Sequence, residues 1–146
     1  MTDSKLPAPE PSGHPVDVGL RSEAAILSEL VRRGYSVLIP FGVNQRYDLV
    51  LDLNGDFVRV QCKTGRLRRG SVEFSTQSVR SNTKRAEFRG YRGEAEYFLV
   101  FCPANNGIYA VPVDAAPGRN MHLRLSPALN GQKRGVNLAS EYELPA

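Results

Sequence analysis

The sequence predicts a mixed α+β domain. Three observations point there. A helical apolar stripe covers 17–33, an Asn54-Gly55 dipeptide joins two alternating segments, and short strand-like segments follow with a mixed remainder. Residues 1–16, with Pro7, Pro9, Pro11 and Pro15, read as a flexible or extended leader. Residues 17–146 read as a single domain, because 146 residues fit one hydrophobic core.

The elements follow in order. Leu20, Ala24, Leu27 and Val31 recur at helical spacing and mark an expected buried face, with Asp17 as N-cap and Gly34 as the left-handed stop. Glu23 borders that stripe, and such a carboxylate is usually a helix-edge residue reaching water. Tyr35 to Ile39 reads as a short strand ended by Pro40, and 41–46 as a loop. Tyr47 to Leu53 alternates, with Tyr47, Leu49, Leu51 and Leu53 on one face and Asp48, Val50 and Asp52 on the other. Asn54-Gly55 suits a type I′ hairpin, whose two central residues need positive φ. Phe57 to Lys63 is the return strand, with Val58, Val60 and Cys62 toward the core. A two-residue loop sets Leu53 opposite Asp56, and therefore Asp48 opposite Gln61, with Lys63 diagonal on the same face.

Residues 71–75 form a further strand, and 76–92 is polar, irregular or helical. Residues 97–101 and 108–113 are strands around an Asn105-Asn106-Gly107 turn, and Pro112 places the second at a sheet edge. Residues 121–125 suggest a last strand and 136–142 a short helix.

Composition removes several classes. No apolar run approaches the about 18 residues of a membrane span. The proline-rich start lacks the apolar core of a secretory signal, so the expectation is a soluble cytoplasmic protein. Two cysteines and two histidines are too few for a disulfide framework or a zinc cluster. The net charge of +4 conceals an asymmetry. Arg59 to Arg92 holds ten basic residues against Glu73 and Glu87, a local +8, while the other nine basic and 13 acidic residues give −4. Such an excess suits a phosphate-bearing partner, although a solvated loop would look the same.

Chemistry gathers at the hairpin. A carboxylate and a second oxygen donor on adjacent strands suit a hard cation such as Mg²⁺, and a lysine beside them suits attack on a phosphodiester. Singly, each residue has a simpler reading. Asp48 could pair with Arg46 or Arg59, Gln61 could pair across the strand, and Lys63 could be one more surface cation.

Tyr47-Asp48, followed by Gln61-Cys62-Lys63 and preceded by a helical Glu23, resembles the PD-(D/E)xK nuclease superfamily. It is most similar to the group I intron homing endonuclease branch, where the motif reads Gln-x-Lys. Gly34-Tyr35-Ser36-Val37, Val60 through Gly65, Tyr91 through Glu94 and Cys102-Pro103 extend the likeness across residues 17 to 143. The resemblance implies a restriction-endonuclease-like core, a central mixed sheet with an antiparallel active-site hairpin flanked by helices. It also implies a Mg²⁺-dependent endodeoxyribonuclease, with Mn²⁺ as a substitute. Asp48, Gln61 and Glu23 would bind the metal, and Lys63 would orient water and stabilise the transition state. Tyr47 replaces the proline of the motif's name, and Gln61 replaces an acid. Double-stranded DNA would be the partner, held by Arg66, Arg68, Arg69, Arg80, Lys84, Arg85 and Arg89, with Gln77, Ser78 and Asn82 reading bases or phosphates. A homo-oligomer, dimer or tetramer, would supply two sites for two strands. The alternatives are a non-catalytic nucleic-acid-binding module on the same fold and a branched-DNA (Holliday junction) resolvase. Cys62 reads as a core residue rather than a nucleophile.

Overall fold

The computed structural model describes residues 5–81, 84–132 and 134–145; the side chains of Arg80 and Ser81 also lie outside the described part, as does Asn82. The chain opens with helix α1 (Pro15–Arg32). It begins two residues before the expected start. Pro15 supplies the preset φ of a first helical position, and His14, not Asp17, is the cap, its Nδ1 accepting the Val16 N–H at 3.2 Å. The far end closes as expected. Gly34 has φ +87°, with Gly34 N–H bonding Val31 C=O and Tyr35 N–H bonding Leu30 C=O, the paired bonds of a Schellman stop.

The strands follow as β1 (Ser36–Leu38), β2 (Leu49–Leu53), β3 (Asp56–Thr64), β4 (Arg66–Arg68), β5 (Ser71–Ser75), β6 (Ser78–Ser81) and β7 (Ala86–Arg89). The chain continues through β8 (Tyr97–Cys102), β9 (Gly107–Pro112), β10 (Asn120–Arg124) and β11 (Asn137–Leu138). One sheet runs β1-β2-β3-β8-β9 and a second β11-β10-β5-β4, while β6 and β7 pair only with each other. β3 and β8 are parallel, so the first sheet is mixed.

The hairpin register is the one the turn dictates. Leu53 pairs with Asp56 and Leu49 with Val60, and Asn54 and Gly55 have φ +56° and +95°. The first sheet buries one face under α1, where Ile26, Leu30, Leu49, Leu51, Val60 and Leu99 form a core. The second sheet covers its other face, with Phe98, Val100 and Val111 packed against Val72, Phe74, Met121 and Leu123. Among the described residues α1 is the one α-helix, and a sheet stands where a second flanking helix was a natural expectation.

Three expectations need correction. The buried helix face is Ser22, Ile26 and Leu30, and Leu20 and Val31 are 63% and 57% exposed. Ser22 is buried without cost because its hydroxyl meets Thr64 Oγ1 at 2.6 Å. Segment 76–92 contains the β6–β7 ribbon rather than a helix. Segment 136–142 is the short strand β11 followed by a 3-10 turn over Ala139–Glu141. The edge position of β9 agrees with Pro112, and the chain's end lies along it through Ala110 N–H to Tyr142 C=O. No helix among the described residues is long and apolar enough to cross a membrane.

Candidate active site

Asp48 stands just before β2 and is fixed by the strand opposite. Its N–H bonds Val60 C=O, and its carboxylate accepts the Cys62 N–H, both at 2.8 Å. These two contacts bracket Gln61. The side-chain amide of Gln61 donates to Cys62 C=O at 3.4 Å, which leaves its Oε1 as a free-standing donor to a cation. Glu23 comes from α1, one residue beyond Ser22. The Ser22–Thr64 bond therefore pins the helix next to both Glu23 and Lys63.

The electrostatics link these groups. Burial raises the Glu23 carboxyl above its ordinary value, and the charge of Asp48 adds to the rise. Burial also raises Asp48, against the lowering effects of the Cys62 N–H and Lys63. Lys63 is pushed down to about 8 by burial, with Asp48 opposing the shift and Arg46 adding to it. Two half-buried carboxylates and a half-buried ammonium thus meet at one strand end, in a setting that suits paired charges of opposite sign.

The competing partners are engaged elsewhere. Arg59 bonds both oxygens of Glu96, and Arg46 forms an ion pair with Glu94, with further bonds to Ser78 Oγ and Gly90 C=O. The simple reading of Asp48 as an arginine partner therefore fails, and among the described residues its carboxylate forms no ion pair. Among the described residues no three His, Cys, Asp or Glu side chains gather into a metal-holding group. Any cation here would rest on two carboxylates and the Gln61 carboxamide, an all-oxygen set that suits a hard ion. Cys62 packs with the helix-side core. Burial, then Asp48 and Glu23, raise its thiol further, so it stays protonated and unreactive near neutral pH.

Three residues take part in ways the sequence did not assign to them. Lys63 Nζ donates to Gln77 C=O at 3.1 Å and lies over the ring of Tyr91 at 4.8 Å and of Phe98 at 5.9 Å. Arg46 also lies over Tyr91, at 4.1 Å. The Gln77 side chain is also turned inward, its Oε1 buried and without a hydrogen-bond partner among the described residues, and Ser78 Oγ accepts from Arg46. Nothing in the spacing of Arg46, Gln77 and Tyr91 marks them, because the chain reaches this place by three separate routes.

The basic residues divide into two groups. Arg66, Arg68 and Arg69 are exposed on β4 and in the turn after it. Lys84, Arg85 and Arg89 are exposed along the ribbon, where Arg89 pairs with Glu94. Arg80 is a β6 residue whose side chain lies outside the described part. An open cleft of about 1000 Å³ separates the ribbon from the loop carrying Asn44 and Arg46.

A mixed sheet that sets a carboxylate, a carboxamide and a lysine on one hairpin, with a helical glutamate beside them, defines a nuclease-type core. Residues 14–145 match the PD-(D/E)XK endonuclease family, and the chain belongs to that family. The bacterial homing endonuclease I-Ssp6803I has a similar fold, with TM-score 0.75 and 23% identity over 90% of this chain and 89% of that one. A Holliday junction resolvase, Hjc of Archaeoglobus fulgidus, aligns at TM-score 0.45 and 18% identity over 73% of this chain and 83% of that one. No curated protein sequence matches the chain.

Proposed function

We propose that the protein is a divalent-metal-dependent DNA endonuclease that hydrolyses phosphodiester bonds, similar in its action to homing endonucleases. The observation that carries this reading is the meeting of Asp48, Gln61 and Lys63 on one hairpin with Glu23, while Arg46 and Arg59 are held by other carboxylates. The donor set fits Mg²⁺, with Mn²⁺ as a substitute. Asp48, Gln61 and Glu23 would hold the ion, and the burial that raises both carboxyl pKa values leaves poorly solvated negative charge that a cation would relieve. When bound, such an ion lowers the pKa of water and offsets charge on the phosphoryl oxygens.

The chain's own residues do the rest. Cys62 N–H holds Asp48 in one orientation. Lys63 places positive charge beside the scissile phosphate, where charge develops in the transition state. Gln61 replaces a charged ligand with a neutral one, which leaves the site with one negative charge fewer. Arg66, Arg68, Arg69 and the ribbon cations Arg80, Lys84, Arg85 and Arg89 would neutralise backbone phosphates, so affinity should fall steeply with salt. A symmetric homo-oligomer in the cytoplasm would address both strands of a duplex.

The test is cleavage of plasmid and of a random DNA library with Mg²⁺, beside Asp48→Ala and Lys63→Ala. Each substitution should slow cutting by about 10²–10³-fold while the variants still bind DNA. Equal nicking by all three proteins would overturn the assignment. A four-way junction in the same assay would favour a resolvase if it were cut in preference to linear duplex.

A further inference from the structure

Lys63 is half-buried, yet among the described residues no carboxylate forms an ion pair with it, and the one hydrogen bond it shows goes to Gln77 C=O. An ammonium has three donors on a flexible four-carbon stem. Something besides that single bond must fix its direction. The structure offers two rings, of which Tyr91 at 4.8 Å is nearer than Phe98 at 5.9 Å. Tyr91 is only 5% exposed, stands edge-on to Phe98 at 5.6 Å and 89°, and presents its face to Lys63 Nζ. An aromatic face attracts a cation through its quadrupole without taking its proton or competing for its donors.

We propose that Tyr91 is the positioning residue for Lys63: its ring seats the ammonium so that the donors not spent on Gln77 point toward Asp48 and the scissile phosphate. The proposal rests on the nuclease reading and deepens it. The Tyr91 ring holds a second cation, Arg46, but that guanidinium is already balanced by Glu94. Among the described residues Lys63 has no such ion pair, and the Asp48 charge acts on it without a hydrogen bond, so its orientation depends more on the ring. The Tyr91 hydroxyl sits at the ring's edge and takes no part in the contact of its face with a cation. Ring and hydroxyl can therefore be separated by substitution.

Tyr91→Phe keeps the ring; Tyr91→Leu and Tyr91→Met remove it, Met filling more of the space. Single-turnover cleavage with Mg²⁺ should stay within about threefold of wild type in Tyr91→Phe and fall by about tenfold or more in the other two, with DNA affinity little changed. A second readout needs no activity. In NMR spectra, the Lys63 ε-methylene should lie upfield of the other lysines in wild type and Tyr91→Phe, and move back toward them in Tyr91→Leu and Tyr91→Met. The proposal is overturned if Tyr91→Phe falls as far as Tyr91→Leu, or if rate and affinity fall together. An unshifted Lys63 signal in wild type overturns it regardless of how the variants fold. A wild-type protein that cuts no DNA but shows the shifted signal overturns the nuclease reading and supports the seat.

Discussion

Two antiparallel strand pairs in this molecule share a local pattern and differ in everything around it. The β2–β3 hairpin sits between β1 and β8 and buries Leu49 and Val60 completely beneath α1. The β6–β7 ribbon pairs only with itself, and Val79 and Phe88, directly opposed, are 56% and 57% exposed. A lone two-stranded ribbon is marginal in water. This one is moored at its base by Arg46 to Ser78 and Gly90, and by Glu94, which pairs with Arg46 and Arg89. The hairpin is held by the hydrophobic core and the ribbon by charge. The groups proposed to react stand on the first, where position must be exact to a fraction of an ångström, and cations that would meet a long polymer stand on the second.

The sharpest way to break that contrast is truncation. Leu49→Ala empties a fully buried site and should cost about 2–5 kcal/mol of stability. Val79→Ala removes a mostly exposed side chain and should stay within about 0.5 kcal/mol. Urea unfolding followed by far-UV circular dichroism measures both. Comparable losses would mean that the ribbon is part of the core's cooperative unit.

The same contrast explains what the sequence could reveal. The hairpin was legible because Asn54-Gly55 sets a two-residue turn and the alternation of Leu49, Leu51, Val58 and Val60 allows only one register. That register alone placed Asp48 across from Gln61. The ribbon was not legible, since Ala-Glu-Phe-Arg is exposed throughout and Val79 is largely exposed, so no buried face imposes a period. Helix α1 misled for a different reason. It holds two stripes at helical spacing, and the more apolar one, with Leu20, Ala24, Leu27 and Val31, is not the one facing the sheet. The buried stripe contains Ser22, a polar residue that hydrophobic counting discards and that only Thr64, far along the chain, makes acceptable inside. Tyr91 and Arg46 belong to the same class, because their roles exist only after the chain has folded.

Charge separates the two regions as well, with opposite signs. Glu23 and Asp48 have raised pKa values in the fold, so their contribution to stability is fully present below their unfolded values and is lost as pH rises through the raised ones. At neutral pH the two ionised carboxylates therefore strain the fold whenever no cation is bound. Asp48→Asn keeps an oxygen for the Cys62 N–H and removes the charge, and should stabilise the metal-free protein by about 0.5–1 kcal/mol. Added Mg²⁺ should then raise the melting temperature of the wild type but not of the variant. A lower melting temperature for metal-free Asp48→Asn would show that Asp48 supports the fold rather than taxing it.

The ribbon's anchor gives the smallest and most local effect. Arg46, then Arg89, hold Glu94 below the usual carboxylate range, so the stability it contributes is present above about pH 4.5 and disappears as pH falls through its lowered value. Glu94→Gln removes the ion pairs at every pH while leaving a hydrogen-bonding side chain in place. Global stability should barely change, because exposed ion pairs contribute little. Hydrogen exchange should show the difference. The Val79 and Phe88 amides should exchange several-fold faster in Glu94→Gln, while the Leu51 and Val60 amides keep the wild-type rate. In wild type the same ribbon amides should loosen selectively as the solution is acidified toward pH 4, whereas protonation of Asp48 and Glu23 leaves the hairpin tighter. If acid or Glu94→Gln speeds exchange in both pairs alike, then charge does not moor the ribbon separately from the core.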